Sequence, residues 1–203
     1  MKKLLGILII FLSVTVIAGN GDGNLELGDK AALTDKKMLD ISGERISLAD
    51  AKKDNGLVVI FSCNTCPFVK QWEGRYPSIK EWADNNDVGM IVLNSNYQNR
   101  NGVDSYEAMQ SHAKEQGYNF HYVVDEESQI ANAFGGQTTP HVFLFNSDMQ
   151  LAYKGAIDDN YESAESVKKA YLKDAITSLA NGEEIAVTET KPTGCSIKRK
   201  IDM

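Results

Sequence analysis

Three cysteines carry the most reactive chemistry in this 203-residue chain: Cys63, Cys66 and Cys195. Two of them form the run Cys63-Asn64-Thr65-Cys66, followed at once by Pro67. A Cys-x-x-Cys pair can cycle between dithiol and disulfide, because its second sulfur lies one helical turn on and can reach back to the first. The same spacing also serves an inert short-loop disulfide or one half of a zinc site. Zinc needs two further ligands, and the candidates are Cys195, His112, His121 and His141, none of them in a second ligand pair. An odd number of cysteines argues against a purely structural framework and for redox work, with one thiol left over or transiently paired.

The elements around the pair give the spacing its meaning. Leu57-Val58-Val59-Ile60-Phe61 is a continuous β-rich apolar run after Asp54-Asn55-Gly56, which predicts a buried central strand. A helical pattern follows from Pro67, with Phe68, Trp72, Ile79 and Trp82 near one side and Pro77 as a kink. Thiols placed at a helix N-terminus face unpaired N–H groups and the positive end of the helix dipole, and both favour thiolate. Cys63, the first of the pair, is expected to be the exposed attacking thiol. Cys66 is expected to resolve the mixed disulfide, and Pro67 to help start the helix. Glu73, two turns beyond Cys66, reads as a solvated helix residue.

The rest of the chain supplies the frame. Met38-Leu39-Asp40-Ile41 and Glu44-Arg45-Ile46-Ser47-Leu48 flank Ser42-Gly43 as a hairpin. Strands are expected over 88–93, 121–124, 142–145 and 151–153. Helices are expected over 104–116, capped by Asp104 and ended by Gly117, over 125–134, and over 164–180. The order is hairpin, βαβαβα, then β-hairpin and helix. That predicts an α/β fold whose mixed central sheet is flanked by helices. An irregular tail from residue 183 carries Cys195. Lys191, Lys198, Arg199 and Lys200 make that tail basic, which favours thiolate at Cys195. Cys195 is either a third redox thiol that exchanges with the pair or a structural thiol packed on the domain. A second piece of interest is Gly135-Gly136-Gln137-Thr138-Thr139-Pro140-His141, where Thr-Pro just before a hairpin strand invites a cis peptide bond.

Strand, Cys-x-x-Cys, helix and a Thr-Pro before a strand hairpin together resemble the thioredoxin fold. The resemblance implies that Pro140 is cis and that Thr139 and Pro140 contact the substrate chain beside the cysteines. Further segments sharpen the match. Phe61-Ser62-Cys63-Asn64-Thr65-Cys66-Pro67-Phe68-Val69, Asn94-Ser95-Asn96, Tyr153-Lys154-Gly155 and Gly194-Cys195-Ser196-Ile197-Lys198 resemble the peroxiredoxin-like branch of the thioredoxin superfamily, grouped with alkyl hydroperoxide reductase and thiol-specific antioxidant proteins. The chain departs from a true peroxiredoxin, which carries Thr or Ser three residues before its peroxidatic cysteine. Counting back from Cys63 gives Ile60, and counting back from Cys66 gives Cys63. Where thioredoxin has Trp before the first cysteine, this chain has Ser62.

Met1-Lys2-Lys3, an apolar run over 4–17 and the small residues of Val16-Ile17-Ala18 follow the three-part layout of a signal peptide cut before Gly19. An uncleaved anchor is the alternative, although the run is shorter than the roughly 20 residues of a membrane span. Residues 1–18 are therefore read as signal peptide, 19–24 as flexible leader, 25–182 as the domain and 183–203 as tail. Export would place the cysteines in an oxidising periplasmic or other extracytoplasmic space. The net charge of −7 becomes −9 once Lys2 and Lys3 are lost, which argues against nucleic acid as a partner. The leading expectation is a thiol–disulfide oxidoreductase acting on protein or small-molecule thiols and disulfides. It needs a thiol electron donor and no bound cofactor, and it meets the membrane only through the signal peptide. The alternatives are a thiol peroxidase with Cys63 as the attacked thiol, and a metal carrier that adds His141 to the two cysteines.

Overall fold

The computed structural model describes residues 23–201, so the segment read as a signal peptide lies outside the described residues. Strands β1 (Met38–Leu39) and β2 (Arg45–Ile46) pair antiparallel as the expected hairpin. The short helix α1 (Leu48–Ala51) follows, capped reciprocally by Ser47 and Asp50. Then come β3 (Gly56–Ser62), α2 (Pro67–Trp72), a 3-10 turn (Glu73–Arg75), α3 (Tyr76–Asn85), β4 (Val88–Asn94), α4 (Tyr106–Gln116) and β5 (His121–Val124). The chain continues through α5 (Gln129–Phe134), β6 (Thr138–Thr139), β7 (His141–Phe145), β8 (Leu151–Gly155), α6 (Tyr171–Asn181) and β9 (Cys195–Ser196). Among the described residues no helix is long and apolar enough to cross a membrane.

The main sheet runs β5-β4-β3-β7-β8, with β3, β4 and β5 parallel and β7 antiparallel to both β3 and β8. This is the mixed central sheet of a thioredoxin-like fold. All seven residues of β3 are buried. Its period of two sends Val58 and Ile60 into one core, with Trp72, Tyr76 and Ile176, while Leu57, Val59 and Phe61 enter the other, with Phe134 and Phe143. Each such side chain, fully buried, stabilises the fold by about 1.5–3 kcal/mol. The sheet is therefore held from both faces, and the C-terminal end of β3 is a rigid platform for whatever follows it.

Three boundaries differ from the sequence reading. The helix after the cysteines is broken at Glu73–Arg75 rather than bent at Pro77, which sits in the first turn of α3. Proline has no N–H for the carbonyl four residues back, so the ladder stops and restarts with Pro77 where its missing donor is harmless. Asp104 does not cap α4. The Ser105 hydroxyl takes the Ala108 N–H at 3.2 Å, and Asp104 is fully buried. The last helix begins at Tyr171, because the segment before it is drawn off into a loop where Asp159 accepts from the Lys168 N–H and donates to the Lys169 carbonyl. Gly117 and Gly182 end their helices in left-handed conformation, as read. The tail is irregular for most of its length and contributes the single short strand β9, antiparallel to β6.

Candidate functional site: a three-cysteine cluster

The loop Cys63–Cys66 leaves the end of β3 and enters α2. Cys66 is the N-cap of that helix, with Pro67 in its first turn. Pro140 follows a cis peptide bond from Thr139, at the start of β7, the strand antiparallel to β3. The pairing of β3 with β7 brings Thr139 and Pro140 to the cysteines, while β9 pairs with β6 from the other side and sets Cys195 opposite Thr139. Cys66 and Cys195 are joined as a disulfide, with Cα atoms 6.3 Å apart and a sequence separation of 129. Cys63 is a free thiol.

Thr139 touches all three cysteines. Its hydroxyl lies 3.4 Å from Cys63 Sγ and donates to the Cys195 carbonyl at 3.5 Å, and its carbonyl oxygen lies 3.4 Å from Cys66 Sγ. Gly194 is required by this closeness, since a Cβ there would stand 2.3 Å from the Thr139 carbonyl oxygen. The structure thus brings Cys63, Cys66, Cys195 and Thr139 together, with Pro140 next to Thr139 across the cis bond.

The expectation of an exposed, activated Cys63 does not hold in this state. Cys63 is 2% exposed, and burial pushes its thiol above the ordinary range, with the Thr139 hydroxyl opposing that shift. Cys66, not Cys63, occupies the helix N-cap that favours thiolate. Cys195 is the most accessible of the three, partly exposed where the other two are buried.

A buried polar network that the sequence reading missed fixes the loop from the β4 side. The Asp104 carboxylate accepts from the Asn64 N–H and from Asn94 Nδ2, both at 2.9 Å, and from Asn96 Nδ2 at 3.2 Å. Asn64 Oδ1 accepts from the Tyr122 hydroxyl at 2.8 Å, and its Nδ2 donates to the Val103 carbonyl. The Asn94-Ser95-Asn96 segment is the hub of this network. Asn94 braces Asp104, Ser95 donates to the buried Asp125 at 2.7 Å, and Asn96 Oδ1 accepts from the Lys198 N–H of the tail at 2.9 Å. Burial raises the Asp125 carboxyl above its ordinary value. Only the clustering of Asn and Asp after apolar runs hinted at this network.

The remaining candidates lie apart. Glu73 is buried rather than solvated, and accepts from His112 Nε2 at 2.8 Å and from the Tyr118 hydroxyl at 3.1 Å. His121 stands 3.7 Å from Asp40, at the far edge of the sheet. His141 is buried against Phe143, and its Nδ1 accepts from the Gln137 N–H at 3.1 Å. Burial lowers its pKa to about 3, with Lys154 adding to the shift, so the ring is neutral at physiological pH.

A family model described as AhpC/TSA matches residues 27–154 of the chain. No curated protein matches it by sequence. Among solved structures, an uncharacterized conserved protein from Geobacillus kaustophilus is 29% identical with a TM-score of 0.81, covering 88% of this chain and 95% of that one. A hypothetical protein from Sinorhizobium meliloti 1021 is 27% identical with a TM-score of 0.79, covering 88% and 97%. Peroxidoxin BcpB from Mycobacterium tuberculosis shares the fold at 14% identity and a TM-score of 0.59, covering 78% and 98%.

Proposed function

The chain belongs to the AhpC/TSA family, and we propose that it works as an exported thiol–disulfide oxidoreductase in which three cysteines pass oxidation from the loop to the tail. In the reduced enzyme the Cys63 thiolate attacks one sulfur of a substrate disulfide, forming a mixed disulfide and releasing one substrate thiolate. The Cys66 thiolate then attacks Cys63 sulfur, forming Cys63–Cys66 and releasing the second substrate thiolate. The Cys195 thiolate attacks Cys66 sulfur, forming Cys66–Cys195 and returning Cys63 to the thiol state. Two electrons have moved from the enzyme to the substrate, and donor thiols reset the enzyme. One attacks Cys195, the most accessible of the three, releasing the Cys66 thiolate, and a second attacks the donor sulfur of that mixed disulfide, releasing the Cys195 thiolate and an oxidised donor disulfide. The two electrons reside on sulfur throughout, so no bound cofactor is invoked. Export rests on the basic start, the apolar run over 4–17 and the small residues before Gly19.

The observation that carries this reading is Thr139, in contact with all three cysteines at 3.4–3.5 Å. With the Cys66 sulfur bonded to Cys195 and His141 Nδ1 holding Gln137, the same contacts favour electron relay over the metal-carrier alternative. A peroxidase reading keeps one observation in its favour: the Thr139 hydroxyl at Cys63 Sγ supplies, from across the fold, the hydroxyl that Ile60 lacks. Rapid mixing separates the two. The reduced protein is mixed with hydrogen peroxide or with oxidised glutathione, following Trp72, whose Nε1 donates to the Thr193 carbonyl of the tail at 3.2 Å. Fast reaction with the disulfide and sluggish reaction with peroxide are expected, and the reverse makes the protein a peroxidase. Cys66→Ser is expected to accumulate mixed disulfides at Cys63, read by mass mapping of partners; accumulation in Cys63→Ser alone reverses the assigned roles.

A further inference from the structure

The strand edge beside the thiols is already filled by the chain itself. Among the described residues the strand that touches both the Cys63 and the Cys66 sulfur is β6, through Thr139, and its main-chain edge is where an extended polypeptide would lie to bring a sulfur to either. In this structure β9 occupies that edge, with Thr138 opposite Ser196 and Thr139 opposite Cys195. We infer that the segment from Thr190 to Arg199 is a permanent strap that bars extended polypeptide disulfides and restricts substrates to compact, low-molecular-weight disulfides. This inference rests on the oxidoreductase reading and narrows its substrate class.

The strap is held by more than its cysteine. On one side of Cys195, the Thr190 N–H donates to the Lys154 carbonyl at 3.0 Å, and the Thr190 hydroxyl accepts from the Ala156 N–H at 2.9 Å. Trp72 Nε1 ties down Thr193. On the other side, Ile197 is buried in the core of the β3 face, and its N–H donates to the Gln137 carbonyl at 3.2 Å. The Lys198 N–H donates to Asn96, the Lys198 carbonyl accepts from the Gln98 N–H at 3.0 Å, and Arg199 reaches Asn132 and the Gly136 carbonyl. Reduction of Cys66–Cys195 removes none of these bonds, so the strap stays seated in the dithiol enzyme. Beside Asn64 and Thr65 of the loop lies an open groove of about 480 Å³, lined also by Lys70, Glu73, His112 and Glu115.

Two measurements test this on the full chain. Hydrogen exchange is followed at the Ile197 and Lys198 amides in the oxidised and the fully reduced protein. Protection within about threefold in the two states is expected; a loss of a hundredfold or more on reduction makes the segment a redox-opened lid and overturns the inference. Turnover is then compared for oxidised glutathione and for an unstructured peptide disulfide, with dithiothreitol as donor. The small disulfide is expected to react at least tenfold faster. The full chain carrying Ile197→Ala and Arg199→Ala, with all three cysteines kept, is expected to shrink that preference at least fivefold. Equal rates for both substrates in the unmodified protein overturn the inference. If neither substrate is turned over, the oxidoreductase reading fails while the exchange result still decides whether the strap is permanent.

Discussion

The loop Cys63–Cys66 is gripped from two sides, and the two grips are built differently. On the β4 side, Asp104 gathers Asn64, Asn94 and Asn96 around one buried carboxylate, and Tyr122 closes the circuit to Asn64. On the β7 side, the contacts run through sulfur, the Thr139 hydroxyl and a tail strand. A buried carboxylate satisfied by several donors is costly to disturb and has one arrangement. A set of three sulfurs can exchange partners by attack of the free thiolate on the disulfide, which breaks one S–S bond as it forms another. One side therefore holds the loop still while the other is free to change partners.

The contrast breaks first at Asp104. Asp104→Ala leaves buried Asn donors unsatisfied and is expected to cost about 3–5 kcal/mol in denaturant unfolding; a loss under about 1 kcal/mol means the network does not hold the loop. Cys195→Ser comes next. It is expected to lower stability by about 2–4 kcal/mol in the oxidised protein, since the disulfide closes a long loop, and to leave the reduced protein close to the unmodified one. An equal loss in both states assigns the cysteine a packing role instead.

His141 sharpens the comparison through pH. Its folded pKa lies near 3, against an ordinary value of 6.5. The unfolded chain therefore takes up a proton that the folded chain refuses, and stability falls as pH drops below 6.5. That loss amounts to about 2 kcal/mol at pH 5. His141→Asn, which keeps an acceptor for Gln137, is expected to be less sensitive over pH 7 to 5 by about that amount, and an unchanged acid limb removes the assignment. The smallest effect is Tyr122→Phe, which deletes one hydroxyl bridging Asn64 and Asn94 and is expected to cost about 1 kcal/mol.

Much of the fold was legible along the chain. The strand before the cysteines, the hairpin at Ser42-Gly43 and the glycine ends of two helices all rest on local chemistry: apolar runs, turn residues and backbone angles that glycine tolerates, whereas the cis Thr139–Pro140 bond was legible through the resemblance to the thioredoxin fold. Asp104 misled for the same reason, because an acid at the start of a helical pattern is usually its cap. Here the adjacent Ser105 took that role, leaving the carboxylate to face Asn64, forty residues earlier. Glu73 looked solvated because nothing near it in sequence announces His112 and Tyr118.

The sequence by itself determined which atoms can react: three cysteines, a Thr-Pro beside a strand, and a helix start after Cys66. Only the tertiary structure decided how they are paired. The Cys-x-x-Cys spacing makes Cys63 and Cys66 natural partners, yet the pairing of β9 with β6 delivers Cys195 to Cys66 and leaves Cys63 a buried thiol. The reason is geometric. Spacing along a helix fixes distances within one turn, whereas the approach of a segment 129 residues away depends on Gly194 at Thr139, on Ile197 in the core and on Thr190 against β8.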